Sequence, residues 1–387
     1  MMFTYQMGTQ IEFGPGLVSR LPGLVEGIGF GKRIMIVTDP GIQETGLISP
    51  IKQTLQAAGY QTLVYQEVAP NPRDVDCEAG AKVYVEQGMT GVIGIGGGSA
   101  MDTAKAITLL SQTGGRVSDY VDGARPYECV APLALVPTTA GTGSEVTRSA
   151  VITESSTHRK MTLKHAMLRP LLAVLDPALT LTVPPAVTSA TGVDALVHAI
   201  EGYTCRSSSP ITQAFGAAAM RVIIPALPRV MQNPTDLAAR SDMLQGSLLA
   251  GLCFGASDVA SVHCLAEALG GLYDTPHGLA NAVFLPHVLR FNVVGHEALH
   301  ADLSQIMGFA SREDTPAEAS TKLVEGIVQW VRHLGIPRLR DLPKVSPADF
   351  DELVELAFAN GSTPSNVRTV SRGDYRELLL SAYEEQG

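Results

Sequence analysis

The sequence predicts an N-terminal α/β domain built on a parallel sheet, residues 1–184, followed by an all-helical domain, residues 185–387. Three observations predict it. Short β-branched runs alternate with helix-length segments through the first half. Beyond Val183-Pro184-Pro185 the strand-like runs vanish and Ala/Leu-rich segments take over. A single glycine-rich turn, Gly94-Ile95-Gly96-Gly97-Gly98-Ser99, joins a strand-like run to a helix. The length, 387 residues, suits two or three domains of about 150 residues.

Taken in order, residues 34–38, 62–65, 91–95, 133–136 and 172–175 read as strands, each a short apolar piece bounded by turn chemistry. Residues 47–58 and 74–87 supply helical crossovers between them. The helical half reads as segments 212–222, 236–250, 259–269, 317–334 and 347–359, with the third stopping at Gly270-Gly271.

Composition excludes several classes. Charged residues make up only 17% of the chain and hydrophobic ones 45%. The low charge predicts an apolar subunit interface, hence a homodimer or larger homo-oligomer. Net charge is −10, and no Lys/Arg cluster forms a phosphate-binding stripe, so no nucleic-acid partner is expected. No uninterrupted apolar run approaches the ~18 residues of a membrane span, and no lysine or arginine precedes Arg20. Five cysteines without a Cys-x-x-Cys pair fit free thiols in a reducing compartment. The expected address is cytoplasmic, away from any membrane.

The glycine turn precedes Ala100-Met101-Asp102-Thr103-Ala104-Lys105, a good helix, with Ser99 as its expected N-cap and Asp102 completing a capping-box-like pair. Backbone amides at such a turn can approach a phosphate closely, and the helix dipole favours its charge. A tight structural turn is the other reading. A second small-residue loop, Thr138-Thr139-Ala140-Gly141-Thr142-Gly143-Ser144-Glu145, follows the run 133–136. Hydroxyls and open amides at the carboxyl end of a strand suit a sugar-phosphate ligand. Asp39 ends the first strand, where a carboxylate accepts from a ribose 2′-hydroxyl and repels a 2′-phosphate, favouring NAD over NADP. Asp39-Pro40-Gly41 also reads simply as a turn.

In the helical half, Asp194 and His198 stand four apart on one helix face. His263 lies on another apolar helix, and His277 follows Tyr273-Asp274-Thr275-Pro276. Together they offer one carboxylate and three imidazoles, a donor set suited to Fe(II), Zn or Ni; each histidine alone also reads as a satisfied core residue. Phe254, nine residues before His263, reads as a pocket wall or a core aromatic. A competing zinc-peptidase pattern, His296-Glu297-Ala298-Leu299-His300, lacks any downstream extension and reads as a solvated helix face.

These residues together resemble the iron-containing (group III) alcohol dehydrogenase family. The matching pieces are residues 96–105 (GGGSAMDTAK), 138–147 (TTAGTGSEVT), 194–201 (DALVHAIE) and 276–282 (PHGLANA), in family order over nearly the whole chain. The resemblance implies a dinucleotide-binding, Rossmann-like α/β domain and an all-α metal-binding domain in a dehydroquinate synthase-like superfold. It implies a cleft between them holding NAD(P) and a small alcohol or aldehyde. By it, Asp194, His198, His263 and His277 are metal ligands. Gly97, Gly98 and Ser99 hold the pyrophosphate, and Asp39, Asn71, Asp102, Thr138, Thr139, Thr142, Lys160 and Leu179 serve the rest of the cofactor site.

One departure stands out. Many members carry a second histidine four residues after the third ligand, and here that position is Glu267. At i+4 from His263 it shares that helix face, as a proton relay, a partner to the ligand, or a charge in a wet cleft. The implied activity is hydride transfer between nicotinamide and a metal-bound alcohol. A hydroxyacid–oxoacid transhydrogenase, a dehydroquinate synthase-like zinc lyase and a non-catalytic binding protein are the other readings.

Overall fold

The computed structural model describes residues 2–384. Its strands are β1 (Gln10–Phe13), β2 (Arg33–Val37), β3 (Gln61–Tyr65), β4 (Gly91–Gly96), β5 (Leu133–Pro137), β6 (Ser149–Thr153), β7 (Lys160–Lys164) and β8 (Leu172–Leu175). Six form one parallel sheet in the order β1-β8-β5-β4-β2-β3. Both faces of this sheet are covered. Ile34 and Ile36 pack with Leu21, Val25, Ile48 and Leu55 on one side, while Met35 and Val37 pack with Met101, Ala104 and Ile107 on the other. A strand buried on both faces needs apolar residues at every position, which is why these runs are visible in the sequence.

The order reverses at β2. The chain leaves β2 to one side for β3 and returns to its other side for β4, so the carboxyl ends of β2 and β4 flank the point where a doubly wound sheet opens a crevice. Asp39 follows β2 and the glycine turn follows β4.

Two features escape the sequence pattern. β1 is an edge strand of mixed polarity, and β6 and β7 form a separate antiparallel hairpin.

The chain divides into two compact units, Gln6–Val183 and a second running from Pro184 onward, with which the residues up to Tyr5 cluster. The second is helical: Pro185–Thr204, Pro210–Gln232, Leu237–Phe254, Ser261–Tyr273, His277–Val293, Glu297–Met307, Pro316–His333, Phe350–Phe358 and Arg372–Glu384. Local chemistry sets several starts. Pro185, Pro210 and Pro316 occupy first helical positions, and Ser209 with Thr212 and Thr315 with Glu318 make reciprocal caps.

Pro210–Gln232 is long and apolar enough to cross a membrane by length and composition alone. It packs against Pro185–Thr204 and Leu237–Phe254 and buries Met220, Ile223 and Leu227, as a core helix does. The stop expected at Gly270-Gly271 does not occur. Both glycines are helical and buried, and Ser261–Tyr273 ends at Asp274, whose φ of 56° breaks the helix. All five cysteines are free thiols.

Candidate functional site

In the α/β unit the glycine turn leads into the helix Gly98–Thr113, with Gly97 as N-cap and no side-chain cap. The expected cap at Ser99 is therefore wrong. The helix begins two residues earlier, and Ser99 Oγ donates instead to the Pro70 carbonyl. The capping-box role of Asp102 falls with it, since its Oδ1 accepts from Ser144 Oγ at 2.7 Å and its Oδ2 from the Val151 amide at 2.9 Å. Without a side-chain cap, the first amides of this helix stay available to an anion.

The hydroxyl loop lies directly against the turn. A Cβ on Gly98 would stand 2.9 Å from Thr142 Cγ2, and one on Gly96 would stand 3.2 Å from Asp39 Oδ2, so glycine is what admits both neighbours. Asp39 caps the short helix Pro40–Glu44 by accepting from the Ile42 amide at 3.0 Å. Thr138 Oγ1 and Thr139 Oγ1 are buried without a hydrogen-bond partner among the described residues, and buried hydroxyls of that kind call for a ligand or water. Lys160 Nζ donates to Asn71 Oδ1 and Thr153 Oγ1, each at 2.9 Å. Leu179 packs on the sheet core from the turn Pro177–Thr180.

In the helical unit Asp194, His198, His263 and His277 converge. Their ligand atoms all lie within 4.8 Å of one another, and the first three residues are buried. Spacing of four on Pro185–Thr204 puts Asp194 and His198 on one face. Glu201, one turn further on that helix, accepts from three donors: His263 Nδ1 at 2.6 Å and the amides of Ala260 and Val262 at 2.8 and 2.7 Å. A carboxylate accepting at Nδ1 fixes the tautomer, so His263 Nε2 presents a lone pair. That nitrogen faces His198 Nε2 at 3.0 Å.

Asn281 completes the cluster, with Nδ2 donating to Asp194 Oδ1 at 2.6 Å and lying 3.1 Å from His277 Nε2. Burial pushes Asp194 up to about 6, against the pull of His263 and Asn281. Burial alone lowers the His263 pKa, and the Glu201 hydrogen bond and charge override it and raise it. Three imidazoles and a buried carboxylate around one point, one imidazole oriented by an outer carboxylate, form the donor set of a divalent cation.

Phe254 reaches the cluster through His198. Its ring stacks on His198, centroids 4.1 Å apart and planes 14° apart. Gly202 makes this possible, because a Cβ there would stand 3.0 Å from the Phe254 backbone. Glu267 Oε2 accepts from Asn360 Nδ2 at 2.6 Å, and its charge helps raise the His263 pKa. The solvated helix face expected for His296-Glu297-x-x-His300 is half wrong. His300 is 1% exposed and its Nδ1 bonds the His296 carbonyl at 2.8 Å; Glu297 instead accepts from the Gly295 amide, and among the described residues the pair joins no group that could hold a metal.

Residues 8–177 match the family model described as iron-containing alcohol dehydrogenase, and residues 188–383 match the C-terminal model of the same family. The chain belongs to the iron-containing alcohol dehydrogenase family. The 1,3-propanediol dehydrogenase of Klebsiella pneumoniae is 35% identical to it, covering 99% of each chain. The NAD-dependent methanol dehydrogenase of Bacillus methanolicus is 33% identical over 95% of this chain and 97% of its own. The solved structure of an alcohol dehydrogenase from Oenococcus oeni superposes with a TM-score of 0.94 at 32% identity, covering 99% of this chain and 100% of that one.

Membership of the iron-containing alcohol dehydrogenases makes the protein an oxidoreductase. Glu201, Asn281 and Asn360 have no role in the sequence reading. Glu201 alone left a signal, a carboxylate on the Asp194/His198 face of an otherwise apolar helix.

Proposed function

We propose that the protein is an NAD(H)-linked, metal-dependent alcohol dehydrogenase or aldehyde reductase for a small alcohol or aldehyde, with Fe(II), Zn or Ni held by Asp194, His198, His263 and His277. The observation that carries this reading is the cluster itself, four ligand atoms within 4.8 Å with the His263 tautomer set by Glu201. A divalent cation there supplies the positive charge that eases loss of an alcohol's proton, and nicotinamide carries the hydride.

The chain's own groups do the rest. One carboxylate and three neutral imidazoles leave such a cation with net positive charge. Glu201 holds the His263 ring in its orientation, and Phe254 shields one face of His198 from water. Glu267 takes the hydroxyl proton at a carboxylate oxygen, with Asn360 fixing that side chain. On the nucleotide side the amides at Gly97, Gly98 and Ser99 receive the pyrophosphate. Asp39 accepts from the ribose and favours NAD over NADP. Asn71, Thr138, Thr139, Thr142, Lys160 and Leu179 line the remainder.

Similarity to a methanol dehydrogenase and a 1,3-propanediol dehydrogenase supports short alcohols as substrates. A cytoplasmic address is supported by the free thiols. A homodimer or larger assembly is supported by the low charged fraction, 17%, and light scattering that finds a monomer at micromolar concentration contradicts it. The test of activity is NADH oxidation by anaerobically purified protein against a panel of short aldehydes. Turnover with one or more supports the reading, and none with metal-loaded protein refutes it.

A further inference from the structure

Beneath the two nucleotide loops lies a buried polar knot that the proposed chemistry does not use. Lys105 is 0% exposed, two turns into the helix Gly98–Thr113. Its ammonium donates to Ser144 Oγ at 2.8 Å, Thr147 Oγ1 at 3.1 Å and the Ser149 carbonyl at 2.7 Å. Asp102, one turn earlier, lies 4.0 Å from Lys105 Nζ and accepts from Ser144 Oγ and the Val151 amide. Ser144 is thus gripped from both sides, accepting from the cation and donating to the anion. Glu145, 1% exposed, adds its charge to the same knot.

Everything these groups hold belongs to proposed cofactor elements. The helix carries the glycine turn at its start. The residues gripped, 144–151, continue directly from Thr138, Thr139 and Thr142 and lead into the hairpin whose second strand begins with Lys160. A buried charged pair costs desolvation, and burial brings Lys105 down to about 8 against the opposing pull of Asp102 and Glu145. Such a cost fits a role in fixing one arrangement of the chain.

We propose that Lys105 and Asp102 are positioning residues that lock the hydroxyl loop to the glycine-turn helix, so that dinucleotide affinity depends on them although neither touches the dinucleotide. Asp102 thereby moves from the cofactor contacts implied by the family resemblance to the scaffold behind them. The inference rests on reading these loops as the dinucleotide site.

The test uses full-length protein freed of metal, in unaltered form and as Ser144→Ala and Lys105→Met. NADH affinity is read from nicotinamide fluorescence, and hydrogen exchange of amides 138–147 is followed without cofactor. Losing hydrogen bonds to charged groups predicts NADH binding weaker by about tenfold in Ser144→Ala and more in Lys105→Met. It predicts faster exchange confined to the loop and, with metal restored, a raised KM for NADH without a raised KM for the aldehyde. Should Lys105→Met fail to fold, Ser144→Ala decides. Unchanged affinity and loop exchange in Ser144→Ala, or exchange accelerated equally across the whole α/β unit, overturns the proposal. Failure of the unaltered protein to bind NADH overturns the site reading beneath it and the proposal with it.

Discussion

His263 donates through Nδ1 to Glu201 Oε2 at 2.6 Å, and the same carboxylate collects the amides of Ala260 and Val262. One side chain therefore sets the ring's tautomer, its rotation and the start of its helix. Glu201→Gln leaves an amide group facing N–H donors. Such outer partners of ligating histidines typically contribute about 10–100-fold in metal affinity, and a loss in that range is expected by competition against a chelator.

Phe254 stacks on His198, a proposed ligand. Replacing it with alanine removes an aromatic pair worth about 0.5–1.5 kcal/mol beyond its buried area, so Phe254→Ala weakens metal binding by up to about tenfold. Phe254→Leu, which keeps most of the volume, separates stacking from packing. Equal metal affinity in all three proteins removes Phe254 from the site.

Glu145 makes stability depend on pH. Burial pushes its carboxyl from 4.5 up to about 7, so the folded state holds the proton more tightly than the unfolded chain does. Its contribution is complete below pH 4.5 and is lost as pH rises through 7. Glu145→Gln removes that loss. The variant is expected to match the wild type near pH 4.5 and to exceed it at pH 8 by about 3 kcal/mol, measured by urea unfolding at the two pH values. A constant difference across that range contradicts the assignment.

Much of this architecture is legible in the sequence because burial imposes simple patterns. The runs at β2, β4, β5 and β8 are apolar at every buried position since both sheet faces are covered, only Arg33 at the exposed start of β2 being charged, and the proposed ligand pair Asp194 and His198 follows helical spacing. Edge and hairpin strands obey no such demand: β1 reads Gln-Ile-Glu-Phe and β7 alternates Lys160 with buried Met161. The supporting residues are hidden for a different reason. Glu201 meets His263 across 62 positions, Asp102 meets Ser144 across 42, and Asn360 meets Glu267 across 93. Local rules offered Asp102 a cap at short range, and the tertiary fold gave it better donors. His300 shows the same override, taken from a solvated face into the interior by packing.

Glu267 replaces the family's second histidine, and its bond to Asn360 holds the carboxylate in place. In the proton-accepting role proposed for it above, Glu267 is expected to contribute one limb of the pH–rate profile. Glu267→Gln abolishes that limb, and Asn360→Ala shifts it while leaving the rest of the profile in place. A profile unchanged in Glu267→Gln assigns the proton to another group.

Asp194, His198, His263 and His277 are proposed to hold one catalytic divalent cation. Elemental analysis of anaerobically purified protein beside His263→Ala and His277→Ala tests it most directly. The expected result is about one Fe, Zn or Ni per chain in the unaltered protein, with metal and aldehyde-dependent NADH oxidation lost together in both variants. Variants that keep full metal content and full activity contradict the account.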